Sequence, residues 1–170
     1  FGATMHEHLK QPILIIKTAW GGKSLNKNFC PPSAQEAGLR PKDDDKIGHF
    51  YRLMVTHVNT VLAEPGKYSP AYDPKQGYEI AGFVWFQGWN DYCDTRTYPD
   101  KTSPDQFALY GELLSHFIRD VRKDFKAPTM PFVIGVMGIG SESFQKGMAS
   151  PSLKDEFKGN VLAVWTAPLM

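Results

Sequence analysis

The chain has 170 residues, a formal net charge of +1 at pH 7 and 42% hydrophobic residues. These values suit a globular domain with its own core and exclude an intrinsically disordered segment. The balanced charge gives no basic stripe for nucleic acid, and no apolar run reaches the roughly 18 residues of a membrane span. Two cysteines are too few for a disulfide scaffold, and whether Cys30 pairs with Cys93 is left open.

The first half of the chain predicts one strand and one helix. Residues 13–19, ILIIKTA, form a continuous apolar run that is typical of a buried strand in a parallel sheet. A polar excursion covers residues 24–47. Apolar residues then recur at helical spacing over residues 50–62, and Pro65 stops the predicted helix. Residues 67–78 are predicted to be loop.

The second half predicts three strands and a long helix. The second strand is IAGFVWFQ, residues 80–87, and the third and fourth are residues 131–137 and 160–166, with a short helix between these two. Ser103 is expected to cap the long helix, with Pro104 at its first position. The predicted inner face of that helix consists of Phe107, Tyr110, Leu114, Phe117, Ile118 and Val121.

Strands that alternate with helices predict an α/β fold, with three α/β/α layers around a mostly parallel sheet. The chain starts at Phe1 and finishes on an apolar, strand-like run. We therefore expect residues 1–170 to be part of a single domain that is incomplete at both ends. In such sheets, active sites lie beyond the carboxyl ends of the strands. This rule places two loops at one edge, WGGKS (20–24) and QGWND (87–91).

The GGKS sequence is similar to the end of a phosphate-binding loop, but the rest of that motif is missing. A phosphate-binding loop has a glycine five positions before Gly22, where this chain has Lys17 inside the predicted strand. Two other interpretations stay open. Gly21 and Gly22 could simply turn the chain, or a glycine N–H could donate to a developing oxyanion, with the side-chain amide of Gln87 or Asn90 as its partner.

Two stretches carry a resemblance to a known family. ILIIKTAWGGKSL (13–25) and GFVWFQGWND (82–91) resemble the SGNH hydrolases, and most closely their sialate O-acetylesterase branch of carbohydrate esterases. Those proteins carry Trp-x-Gln-Gly-Glu-Ser-Asp, whereas here a Trp-Asn pair replaces Glu-Ser. The resemblance extends roughly over residues 2–136.

The resemblance implies a Ser-His-Asp esterase that removes acetyl groups from carbohydrates, without a metal or organic cofactor. It implies that Gly21 or Gly22 is the oxyanion-hole glycine, and that Gln87 or Asn90 is the second donor. Trp20 and Trp89 flank these donors and are candidates for contact with a sugar ring. The family further implies a secreted or periplasmic location.

The chain lacks the family's Gly-x-Ser-Asn and Asp-x-x-His motifs, and none of its five histidines follows an Asp by three residues. We expect the nucleophile before Phe1, the base after Met170, and no activity from residues 1–170 alone. The alternative is a non-catalytic carbohydrate-binding or interaction domain on the same fold. Ser24 has no base nearby in sequence, and His57 and His116 are predicted to be packing or rim residues.

Overall fold

The computed structural model describes residues 2–42 and 44–167; Phe1, Asp43 and residues 168–170 lie outside it. The first half of the described chain contains helices and loops, and helices and strands alternate in the second half. In order, they are α1 (Gly2–Leu9), α2 (Pro32–Glu36), α3 (His49–Ala63), β1 (Phe83–Trp85), α4 (Trp89–Tyr92), α5 (Ala108–Asp124), β2 (Phe132–Val136), α6 (Glu142–Ala149) and β3 (Val161–Trp165). Short 3₁₀ turns cover Pro65–Lys67, Ser150–Leu153 and Asp155–Phe157.

The described strands form one parallel sheet in the order β1-β2-β3. In its register, Trp85 lies opposite Ile134, and Ile134 lies opposite Ala163. Because α5 connects β1 to β2 and α6 connects β2 to β3, each parallel pair has its crossover helix. The α/β class and the parallel sheet are confirmed, and the structure is consistent with a three-layer α/β/α fold. The helix predicted over 50–62 is confirmed as α3.

Helix α5 holds the core together through its predicted inner face. All six residues predicted for that face are buried, although Phe107 lies just before the first residue of the helix. The Phe117 ring lies 4.4 Å from the Trp85 ring and 5.7 Å from the Phe83 ring, so α5 packs directly on β1. Tyr51 joins α3 to this layer, since its ring lies 5.5 Å from Phe117 and its hydroxyl donates to Asp124 at 2.7 Å.

The predicted start of α5 is wrong. The helix begins at Ala108, and the residues from Ser103 to Phe107 form turns. A capping box needs the Gln106 side chain to reach back to the Ser103 N–H. Instead, Gln106 Oε1 accepts from the Asp100 N–H at 2.8 Å, and the Ser103 N–H donates to the Asp100 carbonyl at 3.4 Å. Local turn bonds therefore replace the predicted cap.

The prediction of a buried strand at residues 13–19 is also wrong. This segment is not assigned as a strand, and Leu14 and Ile15 are 40% and 53% exposed. A strand is completed by hydrogen bonds to a neighbour, because its own residues cannot satisfy one another. In the described part of the chain, β1 pairs only with β2, and no segment pairs with residues 13–19.

One face of the sheet is more exposed than the other. Trp85, Ile134 and Val136 point to the face that α5 and α6 cover and are buried, whereas Val84 and Leu162 on the other face are 50% and 61% exposed. Alternation of side chains along each strand produces this difference. The carboxyl end of β1 then leads into QGWND, one of the two loops that form the candidate site.

Candidate active site

The WGGKS and QGWND loops meet at the carboxyl end of β1. The Lys23 carbonyl accepts two side-chain hydrogen bonds from the other loop, from Gln87 Nε2 at 3.0 Å and from Asn90 Nδ2 at 3.2 Å. These bonds join residues that are 64 and 67 positions apart in the chain. The prediction that the two loops come together at one end of the sheet is therefore confirmed.

A buried carboxylate fastens the same two loops together. Asp91 Oδ2 accepts from the Leu25 N–H at 2.7 Å and from Gln87 Nε2 at 2.8 Å, and Asp91 Oδ1 accepts from the Asn26 N–H at 2.9 Å. Asp91 is completely buried. Burial raises the pKa of this carboxyl from 3.8 to about 6, against the opposing effect of its hydrogen-bond donors.

Helix α5 contributes a tyrosine that holds the start of the QGWND loop in place. The Tyr110 hydroxyl donates to the Gln87 carbonyl at 2.7 Å and accepts from the Trp85 indole N–H at 3.1 Å. Burial raises the pKa of Tyr110 well above its usual value, so the hydroxyl stays protonated and remains a donor. The sequence predicted Tyr110 only as a core residue. Its signal was a tyrosine in an otherwise apolar stripe, because a buried tyrosine hydroxyl usually has a partner.

The two candidate amides differ in how many hydrogens they have available. A primary amide carries two N–H hydrogens. Gln87 Nε2 donates to both the Lys23 carbonyl and Asp91 Oδ2, which accounts for both of its hydrogens. Among the described residues, Asn90 Nδ2 has one acceptor, the Lys23 carbonyl. Asn90 therefore keeps one hydrogen for another acceptor, whereas Gln87 has none.

Gly21 and Gly22 form an exposed turn directly before Lys23, whose carbonyl accepts from both amides. Neither backbone N–H has an acceptor within the described part of the chain. No heavy atom lies within 4 Å of the position that a Cβ would take at either residue. Gly22 has φ +70°, a left-handed conformation that favours glycine. The turn thus places free N–H donors on an open surface.

The structure does not support a phosphate-binding loop at GGKS. Such a loop leads directly into a helix, whose N-terminus helps to bind the anion. Here the residues after Ser24 form turns, and the next helix, α2, begins at Pro32. Lys23 Nζ lies 4.5 Å from the centre of the Phe50 ring. The lysine is therefore packed against the side chain of an α3 residue.

The two tryptophans occupy different surroundings. The half-buried Trp20 ring lies 5.3 Å from Phe50, 6.1 Å from Phe29 and 5.7 Å from His57. It anchors the glycine turn to an aromatic cluster. Trp89 is 46% exposed. Because Trp89 directly precedes Asn90 in α4, an exposed aromatic surface lies next to the candidate donor.

Among the described residues, no histidine forms a hydrogen bond with Ser24 or with Asp91, the serine and the carboxylate of the two loops. Ser24 Oγ lies 3.3 Å from Asn28 Oδ1, and His57 is an exposed rim residue of α3. His116 does make a serine contact that the sequence did not predict, since its Nδ1 lies 2.8 Å from Ser33 Oγ. Burial, followed by the Arg119 charge, lowers the His116 pKa.

Other potential sites lie elsewhere or are not formed. Cys30 is buried, Cys93 is exposed and both are free thiols. Two surface clefts, of about 290 and 350 Å³, are lined by other parts of the chain, such as Lys101 with Ser141 and Arg119 with Phe157. Over the described ranges, no cluster of His, Cys, Asp and Glu could hold a metal ion, and no helix could cross a membrane.

The fold and the loops define an α/β protein with exposed hydrogen-bond donors at the carboxyl edge of a parallel sheet, where sites of this class occur. A family model described as "Carbohydrate esterase, sialic acid-specific acetylesterase" matches residues 1–168. The chain belongs to this family of carbohydrate esterases, which confirms the resemblance. Comparisons with curated proteins and with solved structures gave no significant match.

Proposed function

We propose that this protein removes acetyl groups from sugars by serine catalysis, and that Asn90 and the Gly21–Gly22 turn form its oxyanion hole. The observation that supports this proposal is the hydrogen bond from Asn90 Nδ2, an amide with one hydrogen left, to the carbonyl of Lys23, which directly follows the exposed Gly21–Gly22 turn. Residues 1–170 form part of one esterase domain in this proposal.

The proposed reaction proceeds through an acetyl-enzyme. A serine hydroxyl attacks the ester carbonyl carbon while a histidine accepts its proton, and the negative charge moves to the carbonyl oxygen. The oxyanion accepts hydrogen bonds from Asn90 and from a glycine N–H of the turn. The intermediate then expels the sugar oxygen, which takes the proton from histidine. Water releases acetate by the same steps and restores the serine.

The serine, histidine and aspartate of this mechanism lie outside residues 1–170 in our proposal. The reason is the absence of Gly-x-Ser-Asn and Asp-x-x-His motifs from the chain. Ser33 and His116 are within hydrogen-bond distance, but they belong to α2 and α5 and make no described contact with the two donor loops. We therefore assign this pair to the packing of α2 on α5.

We assign the amide donor to Asn90 and a supporting role to Gln87. Both hydrogens of Gln87 are used in bonds to Lys23 and Asp91, and breaking either bond would loosen the loops that hold the site. Trp89, with its exposed ring, is proposed to stack on the sugar. Trp20 contributes mainly by supporting the glycine turn through the Phe29 and Phe50 rings.

The test is Asn90→Ala in the complete protein, assayed on O-acetylated sialic acid. Because an oxyanion donor acts mainly in the transition state, we expect kcat to fall about 10²-fold with little change in KM. Gln35→Ala is the matched control, since Gln35 Nε2 also donates to a loop carbonyl, that of Pro41 at 2.7 Å. Wild-type kcat in Asn90→Ala would overturn the assignment.

A second assay tests the source of the nucleophile. We expect residues 1–170 alone to give no turnover of p-nitrophenyl acetate above background, because removal of the triad removes most of the rate. Turnover that is abolished by Ser24→Ala or by Ser33→Ala would show a nucleophile inside this chain. Sugar binding by the complete protein without any ester hydrolysis would instead support the non-catalytic carbohydrate-binding alternative.

A further inference from the structure

Asp91 is completely buried and helps to join the glycine loop (residues 20–24) and the residues just after it to the amide loop (residues 87–91). Its two oxygens accept from the backbone N–H groups of Leu25 and Asn26, three and four residues beyond Gly22. The residue itself follows Asn90 directly in α4. A single carboxylate thus links the chain just after the glycine turn to the residue that carries the proposed amide donor.

The hydrogen-bond pattern requires a carboxylate at this position. Two oxygens accept from three donors, Leu25 N, Asn26 N and Gln87 Nε2. An asparagine would offer one acceptor oxygen and would point its own NH₂ group at one of these donors. No lysine or arginine forms an ion pair with Asp91 within the described ranges. The buried charge is therefore balanced by oriented N–H groups alone. Burial of a charge costs free energy, and a residue that served only to pack the core would not need one.

We infer that Asp91 is a positioning residue that sets the distance between the Gly21–Gly22 N–H groups and the Asn90 amide. This inference rests on the proposed function, because the distance matters only if both donors bind one oxyanion. A small displacement of either loop would then separate the donors, and hydrogen bonds to an oxyanion weaken steeply with distance and angle. Asp91 would thereby act on the reaction without touching the substrate.

The effect on catalysis is tested with Asp91→Asn in the complete protein. We expect kcat to fall at least tenfold, with KM within about twofold of the wild-type value. The matched control is Asp120→Asn, because Asp120 is another buried carboxylate, and it accepts from the Ser33 N–H at 2.9 Å. The control should lose stability but keep its kcat. Wild-type kcat in Asp91→Asn, or an equal loss in both variants, would overturn the inference.

Amide hydrogen exchange tests the loop contact without any reaction. In Asp91→Asn, the Leu25 and Asn26 amides should exchange at least tenfold faster while the Ser33 amide is unchanged, and Asp120→Asn should give the reverse pattern. Unchanged exchange at Leu25 and Asn26 would show that Asp91 does not hold the loop. If the complete wild-type protein hydrolyses no acetyl ester, the proposed function fails, whereas this exchange pattern still decides whether Asp91 joins the loops.

The wild-type protein gives a further readout if Asp91→Asn does not fold. The Leu25 and Asn26 amide signals and the Gln87 side-chain amide signals should titrate together with one midpoint, because they share one acceptor. Among the described residues, Asp94, Tyr98 and Tyr110 are the charged or titratable groups that interact with Asp91, and burial raises the pKa values of both tyrosines. Separate midpoints for the three amides, or no titration, would overturn the inference.

Discussion

Two neighbouring segments, residues 13–19 and residues 23–26, differ in burial in the direction opposite to that expected from their composition. The first is an apolar run whose Leu14 and Ile15 side chains are largely exposed, and it pairs with no described strand. The second is polar in part, yet Leu25 and Asn26 are buried. Their backbone N–H groups bind Asp91, more than 60 residues away in the chain.

This difference shows that hydrophobicity alone did not decide which of the two segments is buried. Apolar side chains favour burial, but an extended backbone also needs acceptors and donors from a neighbouring element. Residues 23–26 find these groups in Asp91, Gln87 and Asn90. The segment that follows the glycine turn is therefore held by directional hydrogen bonds.

The largest effect on this comparison is expected from Asp91→Ala. The substitution leaves the buried Leu25 and Asn26 N–H groups without an acceptor, at a cost of roughly 1–3 kcal/mol for each unsatisfied group. We expect the free energy of unfolding to fall by about 3 kcal/mol, measured by urea denaturation. A loss below about 1 kcal/mol would mean that water or a rearranged loop satisfies these groups.

The pH dependence of stability should show the titration of the same carboxyl. The Asp91 pKa is raised from 3.8 to about 6, so the native state binds this proton more tightly than the unfolded state. The stability from this group is complete below about pH 4 and is lost as pH rises to about 6, a total of about 3 kcal/mol. Urea denaturation at pH 4 to 7 should show this component in wild type, and Asp91→Asn should lack it.

Other carboxyls act in a different pH range and with the opposite sign. Hydrogen bonds lower the pKa of Asp94 despite a desolvation penalty, and the Arg119 hydrogen bond lowers that of Glu156. The contributions of Asp94 and Glu156 to the free energy of unfolding are present at neutral pH. They are lost as the pH falls below the ordinary pKa values of these carboxyls. Glu156→Gln is therefore the control that should leave the loss between pH 4 and 6 unchanged, because Glu156 pairs with Arg119 and is not among the groups that shift the Asp91 pKa. A similar reduction in both variants would assign that loss to another group.

A smaller effect is expected in the glycine turn. Gly22→Ala introduces a side chain at φ +70° and should cost about 1 kcal/mol of stability. Gly21→Ala is the control, because it has open space around the new methyl group and is not in the left-handed region. Thermal unfolding of both variants measures the difference. Equal stability of the two would show that the turn adopts another conformation in solution.

The smallest effect is expected in the exposed apolar segment. Leu14→Ser removes a side chain that is 40% exposed and should change the free energy of unfolding by less than about 0.5 kcal/mol. The measurement is urea denaturation of residues 1–170, next to the buried-core control Leu114→Ser. A loss of 2 kcal/mol or more from Leu14→Ser would mean that residues 13–19 are buried in solution, and would remove the contrast with residues 23–26.

The sequence by itself determined the α/β class, most element types and the meeting of the two loops. Continuous apolar runs and helical spacing report which residues can be buried together, and this signal identified β2, β3, α3 and the inner face of α5. The rule that parallel strands end at one edge predicted that residues 20–24 and 87–91 meet, and they do, although residues 13–19 form no strand in the described chain.

Only the tertiary structure decided which amide keeps a free hydrogen, where α5 begins and how residues 13–19 are placed. Each of these depends on partners that are distant in the chain or compete locally. Both hydrogens of Gln87 Nε2 are used because the Lys23 carbonyl and Asp91 each accept one. Gln106 accepts from the Asp100 N–H in place of the predicted cap. Hydrogen-bond partners of this kind follow from three-dimensional distance and angle, which residue type and spacing along the chain do not specify.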